Sequence, residues 1–191
     1  NPVGWKSRGW SKAEDADGEI ILPGIITEDT SYYYSWQSTV TLAYDLNGGT
    51  SGPEAQTGTR YLNYSGGLRG ASFTISQTIP TRIGYTFEYW DTTGPALGPG
   101  SKLTITEDMT IRAVWQNYKI EYKQNYRQTE TFSYSDIKIV RYVDDKKVET
   151  INSTSENTTI TEVPVVYEPI EKNIESIKNP IRYTATIKYD N

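Results

Sequence analysis

The sequence predicts a mainly β protein built from tandem repeat units, and three observations lead to this prediction. Thr, Tyr, Ile and Val recur in short runs separated by Gly, Pro, Asn and Asp, which is the residue usage of strands and turns. A segment near residue 84 repeats one near residue 4. The length of 191 residues accommodates one to three small domains with buried cores.

The internal repeat sets the expected domain organisation. The aligned pairs are residues 4–10 with 84–90, residues 26–29 with 105–108, and Trp36 with Trp115. The offset is 80 positions for the first pair (84 − 4) and 79 for the other two (105 − 26 and 115 − 36), so one net deletion separates them. A repeat of this kind indicates one folded unit that occurs more than once along the chain.

Three parts are therefore predicted. Residues 1–37 form the C-terminal half of a first repeat, here called the first copy. Residues 38–116 form a complete repeat, called the second copy, and residues 117–191 form a separate all-β domain that is sandwich-like or grasp-like. The link between the copies, residues 37–39, is too short for free motion. We expect the chain to be a fragment cut inside its first repeat, whose remaining half packs on its neighbour or on another molecule.

The closing strand of each copy predicts which side chains are buried, because alternate residues of a strand point to opposite faces. Tyr32, Tyr34 and Trp36 align with apolar residues of the second copy and are expected to face the core, with Tyr33 and Ser35 on the outer face. The whole predicted repeat core, which is structural, comprises Trp10, Tyr32, Tyr34, Trp36, Tyr85, Phe87, Trp90, Ile111 and Trp115. Stacking of the tyrosine run on a sugar is the alternative interpretation.

Within the second copy the pattern predicts strands separated by turns and loops. The expected strands are residues 40–46, 71–75, 85–90 and one or two within 103–115, and the expected loops are residues 51–58 and 94–100. Asn47-Gly48-Gly49 is predicted to be a tight turn. Residues 60–70 show no clear strand period, and Gly66-Gly67 disfavours a long helix there.

Residues 117–191 have no matching copy in the chain. The strand-like segments are residues 119–123, 129–134, 137–143, 148–151, 158–163, 165–167 and 181–189. Residues 144–147, Asp-Asp-Lys-Lys, are predicted to form a hairpin turn. Pro164, Pro169 and Pro180 are expected at strand ends or boundaries, because proline cannot donate to a sheet ladder.

Three motifs of the second copy occur together in one known family. They are an opening strand that ends in Asn47-Gly48-Gly49, the run Pro80-Thr81-Arg82-Ile83-Gly84-Tyr85-Thr86-Phe87 followed by Trp90, and a final strand from Ile111 to Trp115. With these motifs, residues 40–115 resemble the Listeria–Bacteroides repeat, or internalin-type B repeat, of bacterial surface proteins. Tyr89 departs from the family pattern, which usually has Gly before this Trp; Gly9 of the first copy keeps the usual residue.

The resemblance implies a small β-grasp-like module, of the β-rich α+β class, that is strung in tandem on an extracellular protein, either on the bacterial cell surface or secreted. It also implies a role as stalk, spacer, adhesion or recognition module. The implied partners are neighbouring repeats of the same chain and a host or cell-wall protein or glycan. A carbohydrate-binding module attached to a larger secreted enzyme is the alternative function, which would require exposed, coplanar Trp or Tyr rings.

Composition argues against several other functions. The chain contains no Cys and no His, so the usual Ser/His and Cys/His catalytic pairs and the commonest metal ligands are missing, and we expect no enzyme, metal site or cofactor. The pairs Glu28/Asp29 and Glu107/Asp108 are the obvious candidates for carboxylate catalysis. However, adjacent residues face apart, and the pair recurs with the repeat, as turn residues do.

The net charge of −5, with both signs interspersed, argues against nucleic-acid binding. No apolar run is long enough for a membrane span and no signal peptide is recognised, so we expect no membrane contact. A Lys–Asn or Lys–Asp isopeptide crosslink stays open as a modification.

Overall fold

The computed structural model describes residues 1–14, 18–21, 24, 29–123, 133–164 and 181–187, with the backbone alone from residue 160 onward. Strands account for 56% of the described residues, which include no α-helix. The prediction of a mainly β protein is confirmed, whereas the α-helix expected of an α+β class is not found among the described residues. The chain divides into two compact units, Asn1–Trp115 and Gln116–Asn191.

The first unit is built on one curled sheet and one small sheet. Its strands are β1 (Lys6–Ser11), β2 (Tyr33–Asp45), β3 (Gln56–Asn63), β4 (Leu68–Arg69), β5 (Ala71–Thr74), β6 (Thr86–Asp91), β7 (Lys102–Ile105) and β8 (Met109–Tyr122), whose end belongs to the second unit. In the curled sheet the order is β4-β3-β2-β8, with β1 paired to β2 and β6 paired to β8. The pairs β1–β2 and β2–β3 are antiparallel, whereas β2 and β8 run parallel. Strands β5 and β7 form the small antiparallel sheet.

The hydrophobic core of this unit lies within the second copy. The side chains of β2 alternate between this core and the outer face of the sheet. Val40 and Leu42 are buried, whereas Thr39 is exposed. The core comprises Val40, Leu42, Ala71, Phe73, Ile75, Trp90, Leu97, Ile105, Ile111, Ala113 and Trp115. It therefore gathers the apolar sides of β2, β5, β6, β7 and β8 into one cluster.

The predicted Asn-Gly-Gly turn is present directly after β2. Asn47 and Gly48 both have positive φ, 48° and 80°, and the amide of Gly49 donates to the carbonyl of Leu46 at 2.9 Å. Two consecutive residues with positive φ define a type I′ turn, for which Asn-Gly is the favoured sequence. The turn returns the chain to Thr50, which pairs with Thr81 through two backbone hydrogen bonds of 2.6 and 2.8 Å.

The sequence missed two strands. Residues 60–70 were expected to lack strand structure and residues 51–58 to be loop, but β3 begins at Gln56 and β4 follows it. The alternation was hidden because the inward side of β3 carries Gly58 and Arg60. A Cβ atom on Gly58 would lie 2.7 Å from Phe73, so glycine is what allows β5 to pack there. Arg60 extends its guanidinium to the carbonyl of Thr106.

The predicted boundary between the two copies lies inside a strand. Residues 37 and 38 are both in the middle of β2, and residues 1–37 and 38–115 belong to one compact unit. The boundary predicted after residue 116 lies one residue from the division between the units.

The second unit contains the end of β8 followed by a hairpin. Its other described strands are β9 (Ile137–Val143), β10 (Lys146–Asn152), β11 (Thr158–Pro164) and β12 (Ile181–Ile187). A short 3-10 turn, Tyr134–Asp136, precedes β9, which coincides with the predicted segment and buries Ile137, Ile139 and Val140. The predicted hairpin turn has positive φ at Asp144 and Asp145, 46° and 60°.

The remaining predictions for the second unit divide between described and undescribed parts. Pro164 ends β11, as expected of a proline at a strand boundary. The predicted strand segments at residues 129–132, 165–167 and 188–189 lie outside the described residues, as do Pro169 and Pro180.

Candidate interaction face

The first copy and the equivalent C-terminal half of the second copy begin with the same backbone turn. In residues 2–5 and in residues 82–85, the amide of the last residue donates to the carbonyl of the first at 3.1 Å. The third residue of each turn is a glycine with positive φ, 81° for Gly4 and 78° for Gly84. This conformation requires glycine for steric reasons, so the repeated Gly is explained by the turn.

The strand that follows each turn also occupies equivalent positions. Strand β1 spans Lys6–Ser11 and β6 spans Thr86–Asp91, so both ends are 80 positions apart (86 − 6 and 91 − 11). The backbone carbonyl of Trp10 accepts a 2.8 Å hydrogen bond from the amide of Ile21, and the backbone carbonyl of Trp90 accepts one of 3.0 Å from the amide of Leu97. Strand β1 pairs with β2 as β6 pairs with β8, so each copy joins its first tryptophan strand to its closing strand.

Each copy places one aromatic ring between the two tryptophans that align in the repeat. The ring centroids are 4.9 Å apart for Trp10–Tyr34 and 5.1 Å for Tyr34–Trp36 in the first copy, and 5.1 Å for Trp90–Phe87 and 5.9 Å for Phe87–Trp115 in the second. The rings meet at interplanar angles between 56° and 79°, which are edge-to-face or tilted contacts. The same three-ring row is therefore present twice.

The middle ring of the row comes from different strands in the two copies. In the second copy it is Phe87 of β6, which aligns with Ser7, and the opposite strand carries Ala113. In the first copy it is Tyr34 of β2, which aligns with Ala113, and the opposite strand carries Ser7. The hydroxyl groups of Ser7 and Tyr34 are hydrogen-bonded. A large and a small residue have thus exchanged places while the row keeps its volume.

The tryptophans differ in burial, and this corrects one prediction. Trp90 and Trp115 are 0% and 1% exposed, whereas Trp10, predicted in the core, is 43% exposed, and Trp36 is half-buried. The second copy covers its row with β2 and β5, through side chains such as Leu42. No described residues align with these strands in the first copy, so Trp10 reaches the surface.

The other predicted core residues follow the same division. Ile111 is fully buried, and Tyr85 and Phe87 pack against the core cluster from its edge. Tyr32 and Tyr34 are partly exposed, and Tyr32 lies just before β2. Residues of the first copy that align with the buried core of the second copy are therefore exposed or half-buried.

Ser35 corrects a second prediction, because it was expected on the outer face but is only 3% exposed. Its backbone partner in β1 is Gly9, which has a φ of 124°. A Cβ atom on Gly9 would lie 3.1 Å from the side chain of Ile20. Ile20 therefore folds back over the face of β1 and β2 that carries Gly9 and Ser35, and it covers the serine.

The partly exposed rings form a continuous surface with two leucines of the next strands. Ser7, Trp36, Leu62 and Leu68 are opposite one another across β1, β2, β3 and β4, and Trp10 is opposite Tyr34. Leu68 is 46% exposed and Leu62 is half-buried. We call this surface the aromatic face; its residues are Trp10, Tyr34, Trp36, Leu62 and Leu68.

The first copy is anchored to the second by contacts of cations with aromatic rings. The guanidinium of Arg60 lies 4.7 Å from the ring centroid of Trp5, and that of Arg8 lies 5.1 Å from Tyr61. Such contacts contribute about 0.5–1 kcal/mol each at exposed sites. The half-repeat therefore packs on its neighbour within the chain, which was one of the two expectations for it.

A second anchor joins the loop after β1 to the end of β3. The rings of Tyr33 and Tyr64 lie 5.1 Å apart, and the Tyr64 hydroxyl donates to Glu14 at 3.3 Å. Loss of solvent around the phenol, the negative charge of Glu14 and the hydrogen bond to it raise the pKa of Tyr64 above its usual value near 10.

The geometry bears on the two alternatives for the aromatic residues and the carboxylates. Trp10 and Tyr34 meet at 77°, and Tyr34 and Trp36 at 66°, so these rings do not form the coplanar platform that stacking on a sugar chain requires. Asp108 accepts a 2.7 Å hydrogen bond from the backbone amide of Thr41, which is a structural task. Its counterpart Asp29 is exposed, and Glu28 lies outside the described residues.

Neither a metal site nor a spanning helix is found in the part of the chain that the structure describes. No group of three or more Asp and Glu side chains there is placed to hold an ion. Within the same residues, no helix has the length and apolar character needed to cross a membrane.

Comparisons of the chain with protein-family models, with curated proteins and with solved structures found no match.

Proposed function

We propose that this chain is a non-catalytic repeat region of a bacterial cell-surface protein, in which β-grasp-like units act as a stalk or spacer and present an adhesion or protein-interaction surface. Three observations support the proposal. The motifs of residues 40–115 resemble those of a surface-protein repeat. The two copies share a turn, a strand and a three-ring row. The joint between them is part of a strand.

That joint is the strongest support for a stalk. Strand β2 begins in the first copy and ends in the second, and it is hydrogen-bonded to β1 on one side and to β3 on the other. Residues 35–37 have both partners at once. A strand held on both sides cannot bend without breaking ladder hydrogen bonds, whereas a Gly/Ser linker of similar length behaves as a flexible coil. Successive repeats that are joined in this way keep a fixed orientation relative to one another, as the repeats of a stalk must.

Backbone ¹⁵N relaxation tests the stiffness of the joint. We expect amides of residues 6–11 and of residues 102–112 to report the same rotational correlation time. The matched control carries six Gly/Ser residues inserted between Gln37 and Ser38, which interrupts β2 and should allow the two sets to tumble differently. Separate tumbling in the unmodified protein would contradict a stalk role for this joint.

The adhesion part of the proposal rests on the aromatic face. Exposed aromatic and aliphatic side chains on one sheet face are typical of protein-contact surfaces, whose central residues are enriched in Trp and Tyr. An array of host extracellular proteins, cell-wall proteins and glycans, probed with the full chain, tests for a partner. We expect a protein partner whose binding is lost in a Trp10→Ala variant. Binding of the full chain to glycans on the array, with loss of that binding in the Trp10→Ala variant, would instead favour the carbohydrate-binding alternative.

A further inference from the structure

The second copy shows what covers an aromatic row of this kind. Residues 42–45 of β2 pair in parallel with residues 109–112 of β8, the strand that closes the copy. The carboxylate of Asp108 accepts from the Thr41 amide at 2.7 Å, and the indole of Trp115 donates to the Leu46 carbonyl at 3.0 Å. The opening segment of the copy is thus held at its start, along its length and at its end.

The first copy has the receiving half of this arrangement. Asp29 aligns with Asp108, residues 30–33 align with residues 109–112, and Trp36 aligns with Trp115. Asp29 is exposed, and the indole of Trp36 donates to the side chain of Asn1 at 3.2 Å instead of to a backbone carbonyl. Asn1 is itself exposed, so this acceptor can be displaced.

The start of β2 marks a place where none of the described residues forms a partner strand. Strand β8 begins at Met109, the first residue that pairs with β2. By the same alignment β2 would begin at Thr30, but it begins at Tyr33, and residues 30–32 have no strand structure. Strand geometry at these positions depends on a partner for the backbone groups, because backbone N–H and C=O groups need hydrogen-bond partners when a sheet forms.

We propose that the aromatic face is a docking surface for the opening half of an equivalent repeat. The occupant is a polypeptide segment with the pattern of residues 38–80, in which alternating apolar residues lead into an Asn-Gly-Gly turn. It enters as a parallel strand beside residues 30–33, its turn carbonyl replaces Asn1 as acceptor for Trp36, and its apolar side covers Trp10. The proposal rests on the equivalence of the two copies and does not depend on the stalk role.

A fusion protein tests the docking. A second set of residues 38–80 is placed directly before residue 1, which aligns with Thr81, so that the added segment enters in the register of the second copy. We expect acrylamide quenching of Trp10 to fall several-fold, measured with the other four tryptophans replaced by Phe in both the fusion and the unmodified chain. We also expect amide exchange at residues 30–33 to slow by about tenfold or more, since new ladder hydrogen bonds protect them.

The matched control is the same fusion with Asp in place of the added counterpart of Leu42, whose charge cannot be buried in the core. Its Trp10 quenching and exchange at residues 30–33 should equal those of the unmodified chain. A folded fusion that leaves Trp10 accessible and residues 30–33 unprotected overturns the proposal. The proposal is also overturned if sedimentation shows that the unmodified chain is a dimer and acrylamide quenching shows that Trp10 is protected in it. The occupant would then be a second copy of the chain. If the phenylalanine background fails to fold, amide exchange in the otherwise unmodified fusion decides between these outcomes.

Discussion

The indole N–H of Trp115 donates to the backbone carbonyl of Leu46 at 3.0 Å, and this bond joins the closing strand of the second copy to its opening strand. The two residues are 69 positions apart in sequence. The carbonyl belongs to the residue that starts the Asn-Gly-Gly turn, and Asn47 donates its side-chain amide to the carbonyl of Ala113 at 3.0 Å. Two hydrogen bonds in opposite directions therefore fasten the turn to β8.

Replacing Trp115 by Phe tests the value of this bond. The variant keeps an aromatic ring but leaves the Leu46 carbonyl without its indole donor and opens a small cavity, so we expect a loss of about 2 kcal/mol in the free energy of unfolding. Urea denaturation measures it. The matched control is Trp36→Phe, whose indole donates to the exposed side chain of Asn1, and we expect a loss of about 0.5 kcal/mol or less. Equal losses in the two variants would contradict the difference in their surroundings.

The turn also depends on the absence of a side chain at Gly49. A Cβ atom there would lie 2.5 Å from the Trp115 ring and 3.0 Å from the carbonyl oxygens of Leu46 and Thr81. Gly49→Ala should therefore lower the free energy of unfolding by about 1–3 kcal/mol through overpacking.

The control for this prediction is Gly98→Ala, because a Cβ atom on Gly98 would have no other atom within 4 Å and the residue needs no positive φ. We expect a change within about 0.5 kcal/mol. Chemical denaturation of both variants, with the same slope in denaturant, makes the comparison. If Gly49→Ala changes the free energy of unfolding as little as Gly98→Ala does, the Trp115 ring moves aside at little cost.

Much of the fold could be predicted because its signals are local. Alternation placed β2 around Val40 and Leu42, and the Asn47-Gly48 pair gave the turn, since both features act within a few residues. Strand β3 was missed because Gly58 and Arg60 occupy inward positions where alternation would show apolar residues. Their suitability depends on Phe73 and Thr106, which are distant in sequence.

Of the aromatic face, the sequence singled out Trp10, Tyr34 and Trp36 but assigned them to a buried core, and it did not single out Leu62 or Leu68. Alignment of Trp10 with Trp90 assumes that equal residues have equal neighbours. Burial of Trp90 depends on side chains of β2 and β5, and the first copy has no described counterpart of these strands. Ser35 was misplaced for a related reason, since Ile20 returns over Gly9 from a loop. Both errors concern contacts between segments that a strand pattern does not encode.

Tyr64 gives a prediction for alkaline pH. Its pKa in the folded protein is raised, first by loss of solvent and then by Glu14. A raised pKa means that the folded state holds the proton more tightly than the unfolded state. The contribution to stability is therefore complete below the unfolded pKa near 10 and is lost as pH rises through the folded pKa.

Titration of the ¹³Cζ resonance of Tyr64 by NMR measures this pKa directly. We expect it to lie above the usual value in the unmodified protein and to fall in a Glu14→Gln variant, which removes the negative charge and keeps a hydrogen-bond acceptor. Assignment is checked with Tyr64→Phe, in which the resonance disappears. An unchanged pKa in Glu14→Gln would show that the carboxylate has no part in the shift.

The exchange of large and small residues between the copies predicts a coupling between Ser7 and Tyr34. Ser7→Phe alone would place a second ring beside Tyr34, and Tyr34→Ala alone would leave a gap between Trp10 and Trp36, so each should cost about 1–3 kcal/mol. Together they reproduce the arrangement of Phe87 in the second copy, with its ring between the tryptophans.

The double variant should therefore be more stable than the sum of the single losses allows, with a coupling of about 0.5–3 kcal/mol measured by a double-mutant cycle in urea. Combining Tyr34→Ala with Thr104→Ala, a change on β7 in the small sheet, is the control and should be additive within about 0.5 kcal/mol. Additivity of Ser7→Phe and Tyr34→Ala would mean that the two positions do not share one space. The two aromatic rows would then be alike in composition but not in packing.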